Sequence, residues 1–120
     1  MNNLILIVDD DARVRDVLSE ELELHGFRVT TACNGVEGVK AIESEQPALV
    51  LLDMQMPLLD GVGFARKLAQ LNRCIPTIVM SGDADAEGKA QEMGAVDCLA
   101  KPFGLTRLLS SVESALRAAS

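Results

Sequence analysis

The sequence predicts an α/β fold in which a five-stranded parallel sheet is covered by helices on both faces. Three observations predict it. Short continuous apolar runs, Leu4–Val8 and Leu49–Leu52 above all, read as strands buried on both sides. Stretches between the runs carry apolar residues at helical spacing. The two kinds of segment alternate strictly, βαβαβαβαβα, and such alternation calls for parallel strands joined by crossover helices.

The first strand, Leu4-Ile5-Leu6-Ile7-Val8, runs into Asp9-Asp10-Asp11. Val14, Val17, Leu18 and Leu22 then recur at helical spacing. Asp11 is a suitable N-cap for that helix, and His25-Gly26 a suitable end, with Gly supplying the left-handed residue. Phe27–Thr30 alternates and makes a short second strand. Val36, Val39 and Ile42 mark a helix from Asn34 to about Glu45, stopped by Pro47.

The third strand, Leu49–Asp53, ends on a carboxylate, with Met54-Gln55-Met56-Pro57 behind it. Asp60-Gly61 marks a turn, and Val62, Ala65, Leu68 and Leu71 line the third helix. Pro76–Met80 is the fourth strand, closed by Ser81-Gly82. Residues 85–93 form the weakest helix: they hold few large apolar side chains, and Gly88 costs about 1 kcal/mol against Ala. Asp97–Ala100 is the fifth strand, broken by Lys101-Pro102. Leu105, Leu108, Leu109, Val112 and Leu116 line the last helix.

Length and composition agree with this reading. The 120 residues suit one domain, residues 1–120, without internal repeats or linkers. The chain is 48% hydrophobic and 24% charged, with three Phe and neither Trp nor Tyr, so its core is aliphatic. A net charge of −7 argues against direct nucleic-acid binding, which needs a basic surface. No apolar stretch is long enough to span a bilayer, and Met1-Asn2-Asn3 lacks the basic region of a signal peptide, so a cytoplasmic location is expected. Three widely spaced cysteines suggest neither a disulfide framework nor a zinc site. The last helix reaches Arg117–Ser120, where a linker could begin.

Chemistry collects at the strand ends. A parallel sheet puts Asp9, Asp10, Asp53, Ser81 and Lys101 on one edge, where open α/β sheets bind ligands. Two carboxylates about 4 Å apart repel by about 4 kcal/mol at an effective dielectric of 20, so three together need a cation or a shared proton. Their hard oxygens suit Mg²⁺. Lys101 and Ser81 could hold phosphoryl oxygens, and Asp53 at the centre could be the nucleophile of an aspartyl-phosphate. Taken singly, each residue has a plainer reading. Asp53 could start a turn, Asp9–Asp11 could cap a helix, Ser81 could be a turn residue and Lys101 a surface lysine. The joint pattern is what points to phosphoryl chemistry.

These motifs together resemble the receiver domain of two-component response regulators. The residues that carry the likeness are Ile5–Asp11, Leu51–Pro57, Asp60-Gly61, Met80–Gly82, Gly94-Ala95 and Lys101-Pro102-Phe103. The resemblance implies a flavodoxin-like three-layer α/β/α sandwich with five helices and strand order 2-1-3-4-5. It implies a sensor histidine kinase or phosphotransfer protein as donor to Asp53, and an output domain or downstream effector as recipient of the signal. A phosphorylation-dependent dimer is a further possibility. By the match, Asp9, Asp10, Asp53 and the Gln55 backbone carbonyl hold Mg²⁺, Ser81 is the switch hydroxyl, and Lys101 binds phosphate. The Lys101–Pro102 bond is expected to be cis. Gln55 and Asp83 occupy positions that tune dephosphorylation. Such a domain catalyses only its own phosphorylation and dephosphorylation.

One position departs from the pattern. Receivers usually carry Tyr, Phe or His three residues before the lysine, and here Cys98 stands there. The route from Ser81 to the outer surface must therefore differ, and the weak fourth helix is the candidate mobile element. His25, the only histidine, is expected to meet helix-end carbonyls, and Phe103 and Met56 to pack. Rival readings fit less well. A haloacid dehalogenase-type phosphohydrolase needs a second Asp where Gln55 stands. A phosphotransfer protein using His25 would be a helical bundle. A flavin-binding protein wants a Ser/Thr/Gly phosphate loop after the first strand. A non-phosphorylated receiver-like scaffold keeps the same fold without using the site.

Overall fold

The computed structural model describes residues 2–54, 61–71, 75–82 and 86–119. Its strands are β1 (Leu4–Val8), β2 (Arg28–Ala32), β3 (Leu49–Asp53), β4 (Thr77–Ser81) and β5 (Asp97–Ala100). Its helices are α1 (Ala12–Leu24), α2 (Gly35–Glu45), α3 (Gly61–Gln70), α4 (Ala86–Met93) and α5 (Leu105–Ala119). All strand pairs are parallel, in the order β2-β1-β3-β4-β5, the flavodoxin-like arrangement expected from the resemblance.

Burial follows from that order. Every residue of β1, β3 and β4 is buried, whereas the edge strands β2 and β5 are only partly covered. Alternate residues serve opposite faces. Ile5, Ile7, Leu49, Leu51, Ile78, Met80 and Leu99 pack with Leu18 and Leu22 of α1 and Leu108 and Val112 of α5. Leu6, Val8, Val50 and Leu52 pack with Ile42 of α2 and with Phe64 and Leu68 of α3. A smaller cluster of Met54, Val79 and Ala90 lies under α4, with Met93, Ala95 and Cys98 against it. Each fully buried aliphatic side chain contributes roughly 1.5–3 kcal/mol of transfer free energy. The close approach of α2 to the sheet depends on Gly38. A Cβ there would sit 2.9 Å from Phe64 Cε2 and 3.1 Å from Val8 Cγ2.

Helix ends obey local chemistry. Asp11 caps α1 by accepting from the Arg13 N–H at 2.9 Å, and Asn34 caps α2 by accepting from the Glu37 N–H at 2.9 Å. Gly26 takes φ +88°, as its place after α1 requires. His25 Nδ1 lies 2.9 Å from the Glu21 carbonyl, the helix-end contact expected of it.

Some boundaries and faces differ from the sequence reading. β2 starts at Arg28 and runs to Ala32, rather than spanning Phe27–Thr30. Phe27 is drawn into the end of α1, where its N–H bonds the Leu22 carbonyl at 3.1 Å and its ring packs on the core. β4 is likewise shifted by one residue, to Thr77–Ser81. Val17 and Val36, assigned to apolar faces by spacing, are 58% and 44% exposed. The expected turn at Asp60 and the side chain of Met56 lie outside the described residues.

Candidate functional site

The parallel register carries the strand-end residues to one edge. Val8 pairs with Leu52, so Asp9 and Asp53 each stand one step further on. Asp53 pairs with Met80, which places Ser81 next along β4. Ser81 pairs with Ala100, which places Lys101 next along β5. Main-chain bonds extend the ladder over this edge: Asp9 N–H to the Ala32 carbonyl at 3.2 Å, Met54 N–H to Met80 at 3.1 Å, and Lys101 N–H to Ser81 at 2.9 Å. The Lys101–Pro102 peptide is cis, as expected.

Asp9, Asp53 and Ser81 are buried, and Asp10 is exposed. Asp9, Asp10 and Asp53 offer carboxylate oxygens that all lie within 4.8 Å of one another. Lys101 Nζ reaches Asp9 Oδ2 at 3.3 Å and Asp53 Oδ1 at 3.7 Å. Asp9 Oδ1 also accepts from the Asp11 N–H at 2.9 Å, and Arg15 Nη1 donates to the Asp9 carbonyl at 2.7 Å. The structure thus brings together five residues singled out from sequence: Asp9, Asp10 and Asp53 as a cluster, Lys101 in contact with two of them, and Ser81 beside them on the sheet edge. Gln55, Asp83 and Cys74 lie outside the described residues.

The charges do not balance within the cluster. Among the described residues, one ammonium faces three carboxylates, leaving an excess of two negative charges. Each carboxylate pair near the 4.8 Å limit repels by about 3.5 kcal/mol at an effective dielectric of 20. A divalent ion would cancel that excess. The donor set fits Mg²⁺: its oxygen ligands at about 2.1 Å lie at most about 4.2 Å apart, so the carboxylates need close by well under an ångström. Asp53 would then be a ligand that also lies 3.7 Å from the Lys101 ammonium.

Away from this edge, Asp97 at the start of β5 forms a network that the sequence reading passed over. Arg107 of α5 grips it with Nη1 to Oδ2 and Nη2 to Oδ1, both at 2.9 Å. Ser111 Oγ donates to Oδ2 at 2.5 Å and the Cys98 N–H to Oδ1 at 2.8 Å. The Arg107 guanidinium, helped by Ser111 and the Cys98 N–H, holds the Asp97 carboxyl below its ordinary range against the opposing effect of burial.

Cys98, in the place of the usual aromatic, is half-buried against the α4 cluster. Burial, with Glu87 and Asp97 nearby, pushes its thiol up in pKa and keeps it protonated at neutral pH. Phe103 packs on the core as expected. Among the described residues, Cys33 and Cys98 are free thiols.

Comparison with known proteins accords with this edge. The family profile of the response regulator receiver domain matches residues 5–113. The transcriptional regulatory protein PrrA of Mycobacterium tuberculosis is 36% identical over 94% of this chain, which spans 49% of PrrA's length. The sporulation initiation phosphotransferase F of Bacillus subtilis is 34% identical over 97% of this chain and 95% of its own. The crystal structure of the response regulator protein TrrA from Thermotoga maritima, in complex with Mg²⁺-BeF, superposes with a TM-score of 0.84 at 29% identity, covering 95% of this chain and 98% of TrrA. The chain thus spans about half the length of some curated relatives and nearly all of others. With the profile spanning most of its residues and the acidic edge in place, this chain belongs to the response regulator receiver domain family of two-component systems.

Proposed function

We propose that this chain, as a receiver domain over residues 1–120, accepts a phosphoryl group on Asp53 from the phosphohistidine of a sensor histidine kinase or phosphotransfer protein. One observation carries the proposal: Asp53 ends the central strand within reach of both the Lys101 ammonium and two further carboxylates. Asp9, Asp10 and Asp53, together with the backbone carbonyl of Gln55, would hold Mg²⁺. That ion, when bound, neutralises charge and orients phosphoryl oxygens. An Asp53 carboxylate oxygen attacks phosphorus in line, forming the P–O bond as the donor's P–N bond breaks. The electron pair, and then a proton, go to the departing imidazole. Lys101 receives one phosphoryl oxygen as a point charge, and the Ser81 hydroxyl donates to another. Gln55 and Asp83 tune the attack of water that later removes the group. The domain serves as a signalling phosphoacceptor and turns over no external substrate.

Phosphorylation then shifts a pre-existing conformational equilibrium that an output domain or effector reads. This reading puts the chemistry in the cytoplasm. Among the described residues no helix is long and apolar enough to cross a membrane.

Intact mass after incubation with a small-molecule phosphodonor tests the proposal, with and without Mg²⁺, for wild type and Asp53→Asn. One added phosphoryl group that needs both Mg²⁺ and Asp53 is expected. No adduct, under conditions that trap one on a control receiver, would overturn the proposal in favour of a constitutive scaffold. Size-exclusion chromatography of the phosphorylated sample reports whether a dimer follows.

A further inference from the structure

We infer that Arg15 is a positioning residue for the metal site, holding the Asp9–Asp10 peptide so that the Asp10 carboxylate stays aimed into the cluster. The inference rests on the reading of that cluster as a Mg²⁺ site. The turn after β1 must deliver two consecutive carboxylates, and the two are secured very differently. Asp9 is tied at every polar atom. Its N–H bonds Ala32 at 3.2 Å, its Oδ1 accepts from the Asp11 N–H at 2.9 Å, and its Oδ2 meets Lys101 at 3.3 Å. Its carbonyl accepts from Arg15 Nη1 at 2.7 Å. Asp10 is exposed, and among the described residues its carboxylate has no hydrogen-bond or ion-pair partner.

What aims Asp10 is therefore its backbone. The Asp9 carbonyl belongs to the peptide plane that leads into Asp10, and that plane sets the direction of the Asp10 Cα–Cβ bond. A charge-assisted bond of 2.7 Å from a planar guanidinium holds the plane more firmly than a neutral donor would. The placement of Arg15 suits the task. It is half-buried in the first turns of α1, and its charge also acts on Glu37 and Cys33 beside the turn that opens α2. Glu37 accepts from the Cys33 N–H at 3.3 Å. Arg15 thus braces the turn after β1, on the sheet edge that carries the acidic cluster.

Isothermal titration with MgCl₂ alone tests the role in wild type, Arg15→Ala, Arg15→Lys and Val14→Ala. Amide chemical shifts of Asp10 and Asp53 are followed in parallel, and urea unfolding in EDTA gives the metal-free stability. Arg15→Ala is expected to weaken Mg²⁺ binding by about tenfold, the scale typical of losing an outer partner of a metal ligand. Arg15→Lys keeps the charge without the fork and should fall between wild type and Arg15→Ala. Val14→Ala trims a neighbouring side chain that packs on the core, and should lower stability while leaving Mg²⁺ affinity unchanged. Added guanidinium at low, non-denaturing concentration should restore part of the affinity lost in Arg15→Ala.

Affinity within twofold of wild type in Arg15→Ala overturns the inference, as does an equal loss in Val14→Ala. If Arg15→Ala fails to fold, Arg15→Lys decides: a Mg²⁺ affinity equal to wild type overturns the role. A wild type that takes no Mg²⁺ overturns the metal reading, and the inference with it.

Discussion

Replacing Asp53 by Asn should make the metal-free protein more stable, although it removes a group held by Lys101. The magnitude follows from the cluster. Asp9 and Asp10 each repel the Asp53 charge by about 3.5 kcal/mol at the 4.8 Å limit and an effective dielectric of 20. Lys101 Nζ at 3.7 Å attracts it by about 4.5 kcal/mol on the same scale. The balance opposes the charge by about 2.5 kcal/mol, and screening of the exposed Asp10 lowers this to about 1 kcal/mol. Urea unfolding followed by far-UV circular dichroism is the assay, because the chain has neither Trp nor Tyr to report by fluorescence. With a urea dependence of about 2 kcal/mol per molar, the midpoint of Asp53→Asn in EDTA should rise by about 0.5 M. Mg²⁺ should reverse the order. At a hundredfold excess over its dissociation constant it stabilises the wild type by about 2.7 kcal/mol, and the variant, short of one ligand charge, gains less. An Asp53→Asn protein no more stable than wild type in EDTA would refute the reasoning, since the ammonium would then already neutralise the site.

Arg107→Ala should make stability less sensitive to acid. A carboxyl depressed in the fold adds stability that is present above its unfolded pKa and lost as pH falls through the folded one, so the wild-type advantage fades as pH falls below the ordinary Asp range. Urea midpoints across that range check this, and parallel curves for the two proteins would contradict it. Gly38→Ala should destabilise by about 1 kcal/mol, because overpacking against Phe64 and Val8 costs about 1–3 kcal/mol and Ala returns up to about 1 kcal/mol of helix propensity. Phe64→Leu in the same chain should make that substitution milder, and additive effects would show that the contact relaxes freely. Hydrogen exchange across residues 86–100 should change when the domain is phosphorylated, with α4 the most affected, and identical exchange would exclude α4 as the moving element.

Much of the fold was legible because buried parallel strands leave continuous apolar runs. Leu4–Val8 and Leu49–Asp53 needed no context, and their terminal acids marked the edge where the site lies. The strand order came from likeness to a family, since apolar runs carry no record of which strand neighbours which. Spacing misplaced the start of β2 because Phe27 serves the end of α1, a tertiary use that alternation does not reveal. Val17 and Val36 share helical spacing with core residues, yet both stay exposed, because spacing marks a face without saying whether a partner covers it. Asp9, Asp10, Asp53 and Lys101 were readable as strand-end chemistry. Arg15 and the Asp97–Arg107 pair were not, because their partners are a backbone carbonyl and a residue on another element.

The hydrogen bond from the Lys101 N–H to the Ser81 carbonyl has a mechanical meaning. It makes the proposed phosphate-binding lysine and switch hydroxyl neighbours on one beam, so their main chains cannot drift apart without breaking that rung. A phosphoryl group arriving between them would therefore meet a jaw of nearly fixed width. Its pull would be felt as rotation of the Ser81 side chain. The first movement of the signal would thus start past the ladder's last rung, on the side of the sheet where α4 and the small Cys98 meet.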